Sequence, residues 1–189
     1  MYQPVAVPPR RTVALTGARL LPIADADGNP APEIASGTIV LDEGTITAIG
    51  PDAEVEVPAG AEVIDASGTV IAPGFVESHA HMGVHEDGEG GESNDVNEMT
   101  DPDGSALRAL DAINPADVGF KDALRGGVTT AVIKPGSGNP IGGRTAALKT
   151  WGRVADEMLI SQDISVKSAM GENPKRIYGE RKQTPATRL

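Results

Sequence analysis

The sequence predicts an α/β chain in two parts, an all-β module followed by parallel βα units. Three observations lead there. Glycine (23 residues) and proline (15) together make up about a fifth of the chain, which suits short strands and turns better than a helical bundle. Short β-rich runs punctuated by turn residues fill the stretch 12–73. Beyond residue 74, strand-like and helix-like stretches alternate, the pattern of a parallel sheet or barrel. The expected division is a flexible, proline-rich arm over residues 1–11, the all-β module over 12–73 and the α/β part over 74–189.

In the module, residues 12–16 read as one strand and 17–22 as a second, with a turn at 24–30. Residues 37–41 and 45–49 are joined by Asp42-Glu43-Gly44, a hairpin signal with a glycine available for positive φ. A turn-rich patch over 51–60 precedes strands at 62–66 and 69–71. After the apolar run 70–76 the pattern changes. Residues 86–104 hold eight acidic side chains and neither Lys nor Arg, which reads as a solvated loop. Asn114-Pro115 is a good helix start. Ala116, Phe120, Ala123 and Leu124 then share a helical face, and Gly126-Gly127 ends it. The β-branched run 128–133 reads as a strand covered on both faces. A glycine-rich loop at 136–143, a helix within 145–159 and a strand at 164–170 complete the expected order.

Composition excludes several classes of function. A net charge of −11 opposes binding to nucleic acid or an anionic membrane, since phosphate recognition needs clustered Lys and Arg. No apolar stretch reaches the length of a membrane span and the start lacks the order of a signal peptide, so a cytoplasmic protein is expected. Hydrophobic residues amount to 39% and aromatics to 3%, so the core must rest on Val, Ile, Leu and Ala. Without cysteine, any metal must be held by imidazole and oxygen ligands.

The candidate ligands are His79 and His81, at the end of the apolar run. Strand side chains alternate faces, so residues i and i+2 project together, and two neutral imidazoles side by side can bind one divalent cation. All three histidines of the chain lie between positions 79 and 85; His85 reads as a surface loop residue. Residues 138–145 fit a phosphate loop only with Arg144 in place of the usual lysine. Arginine is no simple substitute there and Pro140 removes a cradling amide, so a structural or site-lining loop is expected. Lys175, Arg176, Arg181, Lys182 and Arg188 read as solvated charge.

Ala48-Ile49-Gly50, Val63-Ile64-Asp65-Ala66-Ser67-Gly68 and Ala72-Pro73-Gly74-Phe75-Val76-Glu77-Ser78-His79-Ala80-His81 together resemble the opening of an amidohydrolase-superfamily enzyme. Residues 95–102, 135–143 and 171–176 resemble its imidazolonepropionase-like branch, and the similarity runs from about Val13 to Leu189. The resemblance implies a partial β-sandwich followed by the first βα units of an incomplete (β/α)8 TIM barrel. His79 and His81 match the metal-binding pair at the end of the first barrel strand, where catalytic groups of barrels sit. Such enzymes also need a bridging carboxylate, two later histidines and a proton-shuttling aspartate. Glu172 is the candidate carboxylate, with Lys167, if carbamylated, its rival. The later groups are expected in sequence absent here: a barrel takes about 250 residues, and about 115 follow Gly74.

The resulting expectation is the N-terminal part of a metal-dependent amidohydrolase. It would hydrolyse a C–N bond of a cyclic or peptide-like amide through a metal-activated water, and would be inactive without its C-terminal half. Zinc is the expected metal, with iron, manganese or nickel as alternatives. The expected partners are a small-molecule amide substrate and either a complementary C-terminal chain or a second copy. The alternative is a non-catalytic half of a split protein, acting as an assembly partner.

Overall fold

The computed structural model describes residues 11–25, 27–88 and 90–188, so the arm expected over 1–11 lies, except for Arg11, outside the described residues. The chain forms two compact units, divided between Pro73 and Gly74.

The first unit is a mixed sheet of β1 (Val13–Leu20), β2 (Ile34–Asp42), β3 (Thr45–Pro51), β4 (Glu62–Asp65) and β5 (Val70–Ile71). Its order is β3-β2-β1-β4, with β5 also on β1. The two strands expected at 12–16 and 17–22 are one strand interrupted by a bulge. The pairing of β1 with β2 shifts between Leu15 and Ala18, and Gly17 there has φ +77°, a value that favours glycine. β4 runs parallel to the first half of β1 and β5 to the second half. The hairpin forms as the sequence predicts, with Glu43 (φ 50°) and Gly44 (φ 85°) both left-handed, the requirement of a tight hairpin turn between twisted strands. Ala18, Leu20, Ile39 and Ala66 form the buried cluster, while Ile46, Ile49, Val63 and Val70 stay about half exposed.

The second unit contains β6 (Phe75–Ala80), α1 (Val118–Arg125), β7 (Val128–Ile133), β8 (Ile141–Lys149), α2 (Ala155–Met158), β9 (Leu159–Ser168) and α3 (Glu172–Glu180). Its sheet order is β6-β7-β8-β9. β6 and β7 are parallel and joined through α1, the expected βα unit. The next step departs from expectation: β8 and β9 each run antiparallel to their neighbour. Of the stretch 145–159 where a helix is expected, 145–149 is the end of β8 and only Ala155–Met158 is helical. The short run Thr145-Ala146-Ala147-Leu148 is buried throughout, and a short apolar run has no periodicity that tells helix from strand.

One core holds this unit together. Ala131 and Ile133 of β7 with Ala146 and Leu148 of β8 pack against Phe120 of α1, Met158 of α2, and Val84, Ala109 and Ile113 from the connecting segments. α1 begins later than Asn114-Pro115 suggests. Asn114 accepts from the Ala116 N–H in a preceding turn, and Asp117 is the N-cap, accepting from the Gly119 N–H at 2.9 Å. No helix of the described residues is long and apolar enough to cross a membrane.

The acidic run 86–104 is a largely exposed loop among the described residues, as its charge suggests, but its backbone is anchored. The Gly136 N–H donates to the Val96 carbonyl at 2.7 Å, and the Gly138 N–H to Asn97 Oδ1 at 2.7 Å. Buried Asn139 donates to the carbonyls of Glu98 and Asp101 at 2.5 and 2.8 Å, and the Tyr178 hydroxyl donates to Asp101 as well. The glycine-rich loop thus serves as the backbone clamp of the acidic run.

Candidate metal centre

Ala80 of β6 pairs with Ile133 of β7, and both turn toward the core. Side-chain alternation therefore sends His79 and His81 to the opposite face. Their ring centroids are 5.2 Å apart, with the planes 82° to one another. His81 Nδ1 lies 2.7 Å from the Lys134 carbonyl. A carbonyl only accepts, so Nδ1 carries the proton and donates it, which leaves Nε2 with a free lone pair. Metal-binding histidines are oriented by this kind of outer hydrogen bond. The Lys134 N–H donates back to Ala80 at 3.0 Å, so the same peptide junction fixes strand and ring.

The third basic group comes from β9. Lys167 Nζ lies 3.4 Å from His79 Nε2. Three strand spacings, about 14 Å in a flat sheet, separate β6 from β9, and the Lys167 stem covers part of that span by lying over Gly142. A Cβ built on Gly142 would stand 3.3 Å from Lys167 Cγ and 3.2 Å from the Gly136 carbonyl oxygen. Glycine at 142 is therefore what lets the stem lie flat. Ser168 Oγ and the Ala169 N–H both donate to the Pro140 carbonyl and hold the end of β9.

The His79 ring is held below the ordinary imidazole range. Partial withdrawal from water contributes most, although much of the side chain remains exposed, followed by the charges of Lys167, His81 and Lys134; Glu77 opposes the shift. Burial and then the charge of Lys134 also lower Lys167. Both shifts favour the neutral bases, the forms able to donate a lone pair.

The turn after the pair is also fixed. Asp117 is buried and accepts from the backbone N–H groups of Gly83 (2.7 Å), Asp87 (3.0 Å) and Gly119 (2.9 Å). This carboxylate ties the segment leaving His81 to the start of α1. The sequence reading missed it; its signal was an acidic residue immediately before the helical apolar pattern, a good N-cap that Asn114 overshadowed. His85 is exposed and its backbone bridges to Asn94.

Glu172 is the first residue of α3, with a side chain 75% exposed, and accepts from Lys175 Nζ one helical turn on, at 3.0 Å. Among the described residues no group of three or more His, Cys, Asp or Glu side chains that could hold a metal ion is found. An acid in the first turn of a helix with a lysine three residues on is already well placed.

The donors present fit part of a divalent cation's coordination shell. His79 and His81 share a face, His81 has its Nε2 freed by a backbone carbonyl, and the amine beside them can be converted to an oxygen donor by carbamylation. A cavity of about 220 Å³ in the same unit is lined by Val84, Val96, Leu107, Ala109, Pro135 and Gly142 with Asp95, Glu98, Arg108 and Asp111, and by neither histidine nor Lys167.

No family model matches the chain. Amidohydrolase tasK of Hapsidospora irregularis is 34% identical over 165 residues, which cover 81% of this chain and 17% of tasK. The imidazolonepropionase of Streptomyces griseus is 29% identical over 141 residues, 70% of this chain and 36% of that protein. The crystal structure of an amidohydrolase from Thermotoga maritima matches with a TM-score of 0.79 and 38% identity, covering 93% of this chain and 43% of the other. The chain belongs to the amidohydrolase superfamily. It spans less than half the length of each of these amidohydrolase relatives. Members of the superfamily are metal-dependent hydrolases.

Proposed function

We propose that this amidohydrolase chain supplies the first metal-binding part of an enzyme that hydrolyses a C–N bond in a cyclic or peptide-like amide. The observation that carries the reading is the convergence of His79, His81 and Lys167, from strand ends 88 residues apart, beside a backbone carbonyl that sets the His81 tautomer. His79 and His81 would hold a divalent cation through ring nitrogens, with zinc favoured and iron, manganese or nickel also suited to imidazole and oxygen donors. Lys167, rather than Glu172, would provide the anionic ligand. Its neutral amine nitrogen forms an N–C bond to carbon dioxide, a C=O electron pair moves to oxygen, and the amine proton passes to solvent, leaving a carbamate. The cation, when bound, supplies an activated water at neutral pH and Lewis acidity toward the scissile carbonyl.

This chain's own residues hold and orient. Lys134 keeps His81 in one tautomer through its carbonyl, Asp117 fixes the following turn, and Gly142 admits the Lys167 stem. Three histidines in all leave the two further imidazoles of such a centre, and its proton-shuttling aspartate, to polypeptide outside these 189 residues. The incomplete (β/α)8 barrel belongs to the same proposal.

Zinc equilibrium dialysis, with ¹³C-bicarbonate NMR to detect the carbamate, tests the assignment. Replacing His79 or His81 by Ala, or Lys167 by Met, should weaken zinc by more than about tenfold, the scale of losing even a supporting partner. Glu172→Gln should leave it unchanged. The reverse pattern would return the carboxylate role to Glu172. Amide hydrolysis by these residues alone would overturn the need for ligands from elsewhere.

A second reading, a non-catalytic assembly partner, draws on one observation. β6 and β9, the outer strands of their sheet, keep Phe75, Val76, Ile160, Ile164 and Val166 between 44% and 70% exposed. Unpaired strand edges and apolar faces favour association. A monodisperse, folded monomer in sedimentation would count against it.

A further inference from the structure

We propose that Lys134 is the anion-recognition residue of this centre, and that the substrate carries a carboxylate close to its scissile amide. The inference rests on the hydrolase reading above and narrows its substrate class. Lys134 follows β7 directly. Ile133 turns into the core and pairs with Ala80, so alternation puts Lys134 on the same side as His79 and His81. Its carbonyl is bonded to His81 and its positive charge is felt by both His79 and Lys167. The side chain is half-buried.

The electrostatics of this corner are opposite to those of the chain. Against a net charge of −11, four basic groups converge here: His79, His81, Lys134 and Lys167. The opposing carboxylate is Glu77, already engaged by the His79 N–H at 2.8 Å. Lys134 has no ion pair with any described residue. A half-buried ammonium beside other cations is unfavourable unless an anion arrives to compensate it. A carbamate on Lys167 would offset part of a bound divalent cation's charge and leave Lys134 uncompensated. Lysine, a compact charge on a flexible stem, suits a carboxylate whose position varies with the substrate. An amide bearing a carboxylate delivers the missing charge together with the scissile bond.

The test uses the full 189-residue chain, loaded with zinc and assayed for metal content in every sample. Two probes are titrated and followed by calorimetry: N-acetylglycinate, and its neutral counterpart N-acetylglycinamide. Wild type should prefer the carboxylate by about tenfold, the scale of a hydrogen bond to a charged group. Lys134→Met should abolish that preference, Lys134→Arg should keep most of it, and zinc content should be the same in all three. Equal carboxylate binding by wild type and Lys134→Met would overturn the proposal. So would loss of zinc in Lys134→Met, because the ammonium would then serve the Lys167 carbamate instead of a ligand. The two readings fail separately. A wild-type chain that binds no zinc but keeps a Lys134-dependent preference for the carboxylate defeats the metal assignment and not this one. A zinc-loaded chain without the preference defeats this one alone.

Discussion

The two halves of the second unit hold their candidate ligands in different ways. On the β6–α1–β7 side the ligands are fixed several times over. Strand pairing sets the face of His79 and His81, a backbone carbonyl sets the ring of His81, and a buried carboxylate holds the turn that follows. On the β8–β9 side Lys167 is placed by little more than a glycine beneath its stem and the pinned end of its strand. The imidazoles are therefore preorganised. The lysine is the adjustable member, which fits the carbamylated ligand proposed for it.

That contrast can be broken at its foundation by Phe120→Ala. Phe120 is 2% exposed in the core beneath both strands, and its truncation should cost about 4 kcal/mol in urea unfolding. Loss of both ligand sets together would follow from so large a destabilisation, so this variant sets the scale for the next. Asp117→Ala removes the acceptor of three backbone N–H groups, one of them at a helix start, and should cost about 3 kcal/mol. If the histidine side is fixed as described, zinc should also weaken while Lys167 keeps its contact. An Asp117→Ala chain with wild-type zinc affinity would show the turn to be dispensable.

The smallest effect is the sharpest. Lys167→Met removes one of the charges that hold His79 low, so the His79 titration in the metal-free chain, followed by imidazole NMR, should move upward. The stability consequence has a definite sign. A histidine whose folded pKa lies below its unfolded value binds fewer protons when folded. Acidification from about pH 6.5 down through the folded midpoint therefore destabilises the native chain. Lys167→Met should shrink that loss, measured by unfolding at several pH values. No change in the His79 midpoint would mean that the amine does not sit beside the ring.

Legibility from sequence follows the same division. The hairpin at Asp42-Glu43-Gly44, the strand bearing the histidines, the close of α1 and the β-branched β7 each announce themselves through turn chemistry or composition. β8 does not, because Thr145-Ala146-Ala147-Leu148 suits helix and strand alike; its antiparallel return is decided by pairing with β7 and β9. The acidic run's exposure is legible from its charge, but its anchoring is not, because charge says nothing about backbone. Its Asn97 side chain and its Glu98 and Asp101 carbonyls accept from the Gly138 N–H and the Asn139 side chain some 40 residues away. Glu172 stood close to the expected ligand position along the chain, yet Lys175 claims it. Lys167 reaches His79 across 88 residues of sequence, a proximity no local pattern encodes.

The bond between His81 and the main chain of residue 134 separates two duties within one residue. The acceptor is a peptide oxygen, so exchanging the side chain there leaves the ring as it was. Under the role proposed for Lys134, a neutral or acidic side chain there would change which molecules are admitted while the carbonyl still holds the His81 ring. Position 134 is thus a place where selectivity could drift cheaply, and where directed evolution of new substrates would best begin.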